Sequence, residues 1–448
     1  MGATRGDAEP ASESAAALHP EDGADPSHGG ASITADAFER LVARHYRWNT
    51  RANLAYGLFG TTGLRLINAP TLVPDYVYKL GGSNGIVGVA LLVGGLCRFV
   101  GPLFGAALVA HRARVKPWAV AIGVMMRVCL LGIAMGAFLL SGRATLVAFL
   151  LCFGAFYFFD GVQSVTYNVV MGKVIPLSRR GWFIGMRDLL GGLTVAALAL
   201  PIGRLLDRVP FPHSYGFTYL VAFALTAIGL LCFALTREPP APWTGESRSP
   251  LDALRRIPSL LRADPTFASY CACRALGSAA MMTTPFFILY AQAALAIDGT
   301  ALGRITFLFF AAQTLANPVW GRLADRHGFR MVALVGGGLW MLAAAALLTL
   351  PHGLGTVGTV FTLVGIGQGG FRMAAANMVF EFGLDAEFAQ RVATVNMMGE
   401  LAGALAPLGA GFLADHAGHP PVLLVGMLLM AVAEAVMAIG VRPLPARR

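Results

Sequence analysis

The sequence predicts an all-α polytopic membrane protein, with twelve transmembrane helices in two six-helix bundles. Three observations predict it. The 448 residues are 56% hydrophobic and 13% charged, against about 25% charged in soluble domains. Twelve apolar runs follow one another along the chain, each close to the roughly 20 residues that cross a bilayer. A five-residue frame returns at the end of every third crossing.

The runs lie at 53–78, 84–109, 117–140, 144–171, 182–206 and 214–235, then at 266–292, 301–323, 330–350, 355–381, 391–414 and 420–441. Pro70 and Pro74 predict a kink, rather than a break, in the outer half of the first run. Residues 1–33, rich in Ala, Gly, Ser, Pro, Asp and Glu, predict a disordered cytoplasmic tail without a signal peptide. From the capping residue Thr34, Phe38, Leu41, Val42 and Tyr46 share one helical face, and Arg40, Arg44 and Arg47 the other. That pattern predicts an interfacial helix.

The break at 236–265 holds Pro239, Pro240 and Pro242. Ser249-Pro250 reads there as a cap and first helical position. Leu251, Leu254, Ile257 and Leu261 then form a stripe opposite Arg255 and Arg262, a linker helix lying on the membrane. The expected organisation is a tail (1–33), an N-terminal bundle with its interfacial helix (34–235), a linker (236–265), a C-terminal bundle (266–441) and a tail (442–448).

The net charge of +10 is spread over short loops, which fits topogenic charge better than nucleic-acid binding. Arg44, Arg47, Lys116, Arg179, Arg180 and Arg391 fall on one set of loops, which places both termini in the cytoplasm. The six cysteines lie inside apolar runs without metal-ligand spacing.

The strongest local signal is Gly321-Arg322-Leu323-Ala324-Asp325-Arg326-His327-Gly328-Phe329-Arg330, a basic turn between runs eight and nine. Gly321 is expected to let another helix approach closely. Asp325 suits a helix end, where it meets free N–H groups or arginines. Gly328 permits a tight reversal, and Arg326 and Arg330 hold the loop in the cytoplasm.

The decapeptide resembles the signature loop of the major facilitator superfamily, G-x-L-A-D-R-x-G-R-K, with Phe329-Arg330 where the family has two basic residues. The frame recurs as Gly203-Arg204-Leu205-Leu206-Asp207 and Gly411-Phe412-Leu413-Ala414-Asp415. An eroded copy, Gly105-Ala106-Ala107-Leu108-Val109, precedes Arg112, Arg114 and Lys116. The four copies close runs two, five, eight and eleven, one per three-helix unit. Nested inverted repeats have that spacing. Gating is the role the resemblance implies for Gly321, Asp325, Arg326, Gly328 and Arg330, with Arg112 and Arg114 in the matching loop.

Ionisable groups at membrane depth mark function, because each demands a partner or water. They are Arg65, Arg98, Arg127, Asp160, Asp188, Arg274, Arg372, Glu381, Glu400 and Glu434. The resemblance implies that helices 1, 4, 7 and 10 line a central cavity. Arg65, Asp160, Arg274 and Arg372 then face it, with Asn68, Gln163, Asn168, Gln368 and Asn377 beside them. Arg98 and Arg127 fall on helices outside it, and Glu434 reads as a packing residue.

Three arginines against one carboxylate predict a substrate with an anionic group. The competing reading is mutual neutralisation, Arg65 with Asp160, and Arg274 or Arg372 with Glu400 or Glu381. Asp160 is the first candidate proton site, contested by Arg65, and Glu400 is the second. The aromatic run Phe156–Phe159 reads as packing surface.

No phosphate loop, H-E-x-x-H or G-x-S-x-G occurs, so the expectation is not an enzyme, with no cofactor and no ATP drive. The resemblance implies a monomeric secondary transporter of a bacterial plasma membrane. It would work by alternating access and couple a small-molecule substrate to protons. Gly191-Gly192 and Pro201-Ile202-Gly203 of the fifth run faintly resemble the Gly/Pro-rich helix-five motif of the superfamily's proton-driven exporters, and that resemblance leans the direction towards export. Import of an organic anion or nutrient is the runner-up, and a transporter-derived sensor without flux is the reading from another class.

Overall fold

The computed structural model describes residues 35–110, 112–240, 250–382 and 388–441. The tails, Thr34, Pro242, Ser249 and the side chains of Leu251 and Leu254 lie outside that description. The N-terminal half holds α1 (Ala35–Tyr56), α2 (Thr62–Ile67), α3 (Leu72–Gly81), α4 (Asn84–Val109), α5 (Lys116–Leu139), α6 (Gly142–Val174), α7 (Leu177–Arg208) and α8 (His213–Ala234). Then come α9 (Pro250–Ala263), α10 (Pro265–Met281), α11 (Pro285–Ala294), α12 (Gly299–Thr349), α13 (Leu354–Asn377), α14 (Phe388–Ala417) and α15 (His419–Gly440).

Ten helical stretches among the described residues are long and apolar enough to cross a membrane. Two of the twelve crossings are hidden in that number. The 51 residues of α12 would reach about 76 Å if straight, more than twice the ~30 Å hydrocarbon core. Gly328, at φ 80° and ψ 164°, folds the run into two crossings. Only glycine takes that backbone freely, so the reversal expected there is present. The other hidden crossing is the first, assembled from the end of α1, a π-helical turn (Gly57–Thr61), α2 and α3.

That first crossing corrects two expectations. It is broken at 68–71, not merely kinked. Pro70 has no N–H and disfavours helix at Ala69. The Leu66 carbonyl, which loses the Pro70 N–H, accepts that of Ala69 at 3.3 Å; Asn68 Nδ2 donates to the Leu64 carbonyl at 2.7 Å, and the hydroxyls of Thr71 and Thr306 meet across the bundles at 2.6 Å. The second correction concerns α1, which runs unbroken from Ala35 into the crossing instead of forming a separate helix in the membrane plane. Crossing seven is interrupted likewise, at 282–284 before Pro285. The hydroxyls of Thr283 and Thr284 bond the Ala280 and Met281 carbonyls there.

Packing repeats between the halves. α6 packs on α4 and α5, and α8 on α5 and α1; α13 packs on the two limbs of α12, and α10 on α14 and α15. The bundle with α1–α8 and the bundle with α10–α15 then meet along two long seams, α4 against α14 and α7 against α12. One end of the molecule carries α9, and we term it the linker face. The opposite end, with the α3–α4, α7–α8, α11–α12 and α14–α15 turns, is the distal face.

Candidate functional site

The seams close because their helices present backbone to backbone. A Cβ on Gly203 would meet the Gly299 carbonyl oxygen at 2.5 Å, and one on Gly411 the Asn84 carbonyl oxygen at 2.4 Å. One on Gly95 would meet the Ala404 Cβ at 2.6 Å. Small residues let helices approach in lipid, where association depends on close packing.

Each seam ends on the distal face in a carboxylate from one bundle set on a helix start of the other. Asp207 accepts the backbone N–H groups of Gly299 at 2.6 Å and Thr300 at 2.8 Å. Asp415 accepts those of Asn84 at 2.8 Å and Gly85 at 2.7 Å. The first amides of a helix lack internal partners and carry partial positive charge, so a carboxylate there is favourable. Gln292 Nε2 adds a further tie across the bundles, to Asp75 at 2.7 Å.

Among the described residues, no carboxylate of one bundle caps a helix start of the other on the linker face. Its described bonds stay within one bundle. Glu238 accepts from Val115, Lys116 and Lys173, and Arg330 donates to the Ala438 carbonyl at 2.6 Å. Asp264 caps α10 through the Phe267 N–H and holds Arg391 at 2.7 Å. Burial pushes the Asp264 carboxyl up, but those two partners outweigh it and hold it below the usual range.

The signature loop departs from its expected contacts. Nothing lies within 4 Å of a Cβ built on Gly321, and Asp325 and Arg326 are exposed. Arg112 bonds the Leu108 carbonyl and stacks on Trp118 at 4.0 Å, inside its own bundle, and Arg114 is exposed.

Between the linker face and the distal seal, exposed side chains at depth, Asn68, Ser164, Asn168 and Arg372, mark a charged cavity. Arg372, deep in α13, is solvent-exposed yet in electrostatic reach of Arg65, Arg98, Arg274 and Glu400, so its head group stands in space between the bundles. Ser164 and Asn168 continue one exposed face of α6 from Asp160 towards the linker face.

The pairings differ from those expected. Asp160 pairs with Arg98 at 3.1 Å, not with Arg65. Arg65 faces Asp188 at 3.7 Å, which also meets Arg187 at 3.5 Å. Arg98, assigned from sequence to a helix outside the cavity, reaches across to Glu400 at 3.9 Å. Neither Arg274 nor Arg372 forms an ion pair among the described residues; Arg274 bonds Ser278. Glu381 instead accepts the Phe329 N–H at 3.3 Å.

Gln163 leaves the candidate set. It is buried against Arg127, which donates to it at 3.4 Å and to the Thr226 carbonyl at 3.0 Å. Gln368 likewise bonds Thr284 inside its bundle, at 2.9 Å. Asn377 bonds the Met373 carbonyl of its own helix at 2.8 Å. Tyr157, which the sequence placed in a packing run, donates to Asn68 at the cavity. Its position one turn from Asp160 was the available signal.

A polytopic two-bundle membrane protein with a charged chamber at its centre is the class that fold and site define. Residues 271–448 match the family model of the Major Facilitator Superfamily. That match spans the C-terminal bundle, and a likeness of fold to solved transporter structures extends over both bundles. Over 160 residues it is 30% identical to the multidrug resistance protein MdtG of Salmonella choleraesuis (strain SC-B67), covering 34% of this chain and 38% of that protein. The chain thus spans well under half the length of the curated relatives it matches.

Among solved structures, a D-xylose-proton symporter superposes with a TM-score of 0.68 at 12% identity, over 90% of this chain and 99% of that one. The nucleoside transporter NupG gives 0.64 at 15% identity, over 87% and 98%.

Proposed function

We propose that the chain is a secondary active transporter of a small organic anion, working by alternating access and coupled to protons. The observation that carries the reading is the charged chamber between two bundles sealed at one end only. Arg65, Arg98, Arg187, Arg274 and Arg372 face Asp160, Asp188 and Glu400 there, five cations against three anions. Guanidinium groups bind carboxylates and phosphates well because two N–H groups match two oxygens.

The basic loops make the linker face cytoplasmic, with both termini inside, in a bacterial inner membrane. The described state is then open to the cytoplasm. Rocking of the bundles about the cavity would break the distal caps and close the linker face. Arg98 and the two carboxylates it faces, Asp160 and Glu400, are the proton-handling set.

For direction, the likeness to MdtG, a multidrug resistance protein, supports export. Uptake is the second reading, favoured by the excess of arginines, since an anion and a proton admitted together descend an inward proton gradient together.

Proteoliposomes loaded with a panel of organic anions test the reading. Proton-dependent flux is expected, reduced at least tenfold by Arg98→Gln and Arg372→Gln. Binding without flux would assign the chain to the sensor class. Flux of neutral and cationic lipophiles, unaffected by either variant, would overturn the anion reading.

A further inference from the structure

From the chamber's ion pairs we infer that Glu400 occupies the place of the substrate's anionic group, so that its protonation admits the anion and the two bind together. The inference rests on the anion reading of the cavity.

Among the described residues, Arg98–Glu400 is the one ion pair that joins the bundles; the other pairs lie within one or the other. It sits where the α4–α14 seam ends. Gly95 and Ala404, about one turn away on each helix, are still in backbone contact, and beyond them the helices line the chamber.

The pair is also the looser of Arg98's two. Asp160 is 19% exposed and 3.1 Å from the guanidinium, whereas Glu400 is 43% exposed and 3.9 Å away. A solvated carboxylate outside hydrogen-bonding distance yields its partner more readily than a shielded one in contact. A substrate carboxylate competing for Arg98 therefore displaces Glu400 before Asp160.

The charged groups around Glu400 couple its proton to the anion. On the opposite bundle are Arg98 and, behind it, Asp160 with Tyr157. On its own bundle, the Arg274 guanidinium lies over Gly399, 3.0 Å from a Cβ built there, and Arg372 faces it from α13. Three arginines thus meet two carboxylates. An added anion makes three against three, but it must share Arg98 with an ionised Glu400. Protonating Glu400 leaves Arg98 to Asp160 and the anion, which then faces three arginines and one carboxylate. Proton and anion then strengthen each other's binding by the same factor, as linkage requires. Both leave the chamber on the same side, which selects uptake over proton-exchanged export.

The test is calorimetry with benzoate, which stays ionised from pH 5.5 to 8, on the purified full-length protein. In wild type the Kd for benzoate is expected to fall on acidification, by up to about tenfold per pH unit for one linked proton. Proton uptake should approach one per benzoate in weakly buffered solution. Glu400→Gln should bind with the acidic-side affinity throughout and take up none, while Glu400→Asp keeps the pH dependence.

A flat or reversed pH dependence in wild type, or a wild-type slope kept by Glu400→Gln, overturns the inference. Should the Gln variant fail to fold, wild-type proton uptake alone decides. Absence of binding by both benzoate and methylphosphonate at every pH would instead sink the anion reading beneath it, before any variant is made.

Discussion

The two faces of the molecule use the same five-residue frame to different effect. On the distal face, two copies end in Asp207 and Asp415, and each carboxylate sits on the opening amides of a helix in the other bundle. On the linker face, one copy ends in Asp325, which is exposed, and the other in Val109, which has no charge to offer. The repeat relates the ends of α4, α7, the first limb of α12 and α14. By that relation Asp325 would reach the start of α7 and Val109 the start of α14 if the linker face closed. The chain therefore carries two carboxylate caps for one closed state and one for the other. On the proposed alternating access, that difference would bias the resting protein towards a sealed distal face.

The largest expected effect comes from bulk in a seam. Gly411→Val places side-chain atoms against the Asn84 carbonyl, which cannot move without its helix. Distal closure should fail, with flux lost more than tenfold and cysteines placed along the upper α4–α14 seam becoming reactive to impermeant thiol reagents. Unchanged reactivity would mean that the seam is not held closed by close approach.

Next is removal of both distal caps. A capping side chain contributes about 1 kcal/mol, so Asp207→Asn with Asp415→Asn should shift the balance towards an open distal face by up to about thirtyfold, measured as populations in spin-label distance distributions. Asn still accepts hydrogen bonds, so Ala at both sites should shift it at least as far. Restoring the missing acid with Val109→Asp should act oppositely, by about fivefold. If Val109→Asp leaves the populations unchanged, the asymmetry of the frames does not set the bias.

The smallest effect concerns Asp264, which stabilises the C-terminal bundle from outside the seams. Its carboxyl is held below the usual range, so its contribution is complete above the ordinary carboxylate pKa of about 3.9 and fades only as pH falls through the lowered value. Arg391→Gln should lower Tm slightly at pH 7 and leave the distance populations alone.

These cases mark how far the sequence could be read. The crossings were legible because apolar length and basic loops are local quantities. The frames were legible as a repeat, with Asp207 and Asp415 in it, but their partners lie 92 and about 330 residues away, and no local pattern names a partner at that distance. The cavity charges were found as a set and paired wrongly. Arg98 was assigned by its helix, yet its long side chain crosses to α6 and α14. Gln163, three residues from Asp160, turns to Arg127 and the bundle core. The break at 68–71 exceeded the expected kink because the Ala69 N–H takes the freed Leu66 carbonyl, Asn68 bonds the Leu64 carbonyl and Thr71 bonds across to Thr306, which lowers the penalty that favours an unbroken helix in lipid.

The most direct test of alternating access about this chamber measures two distances in one reconstituted protein. One spin-label pair spans the distal ends of α4 and α14, and the other the linker-face ends of α7 and the first limb of α12. Alternating access predicts two populations for each pair, with the distal distance short when the linker-face distance is long, and the ratio moved by pH and benzoate. A single population at both faces, or two distances that lengthen together, would contradict it.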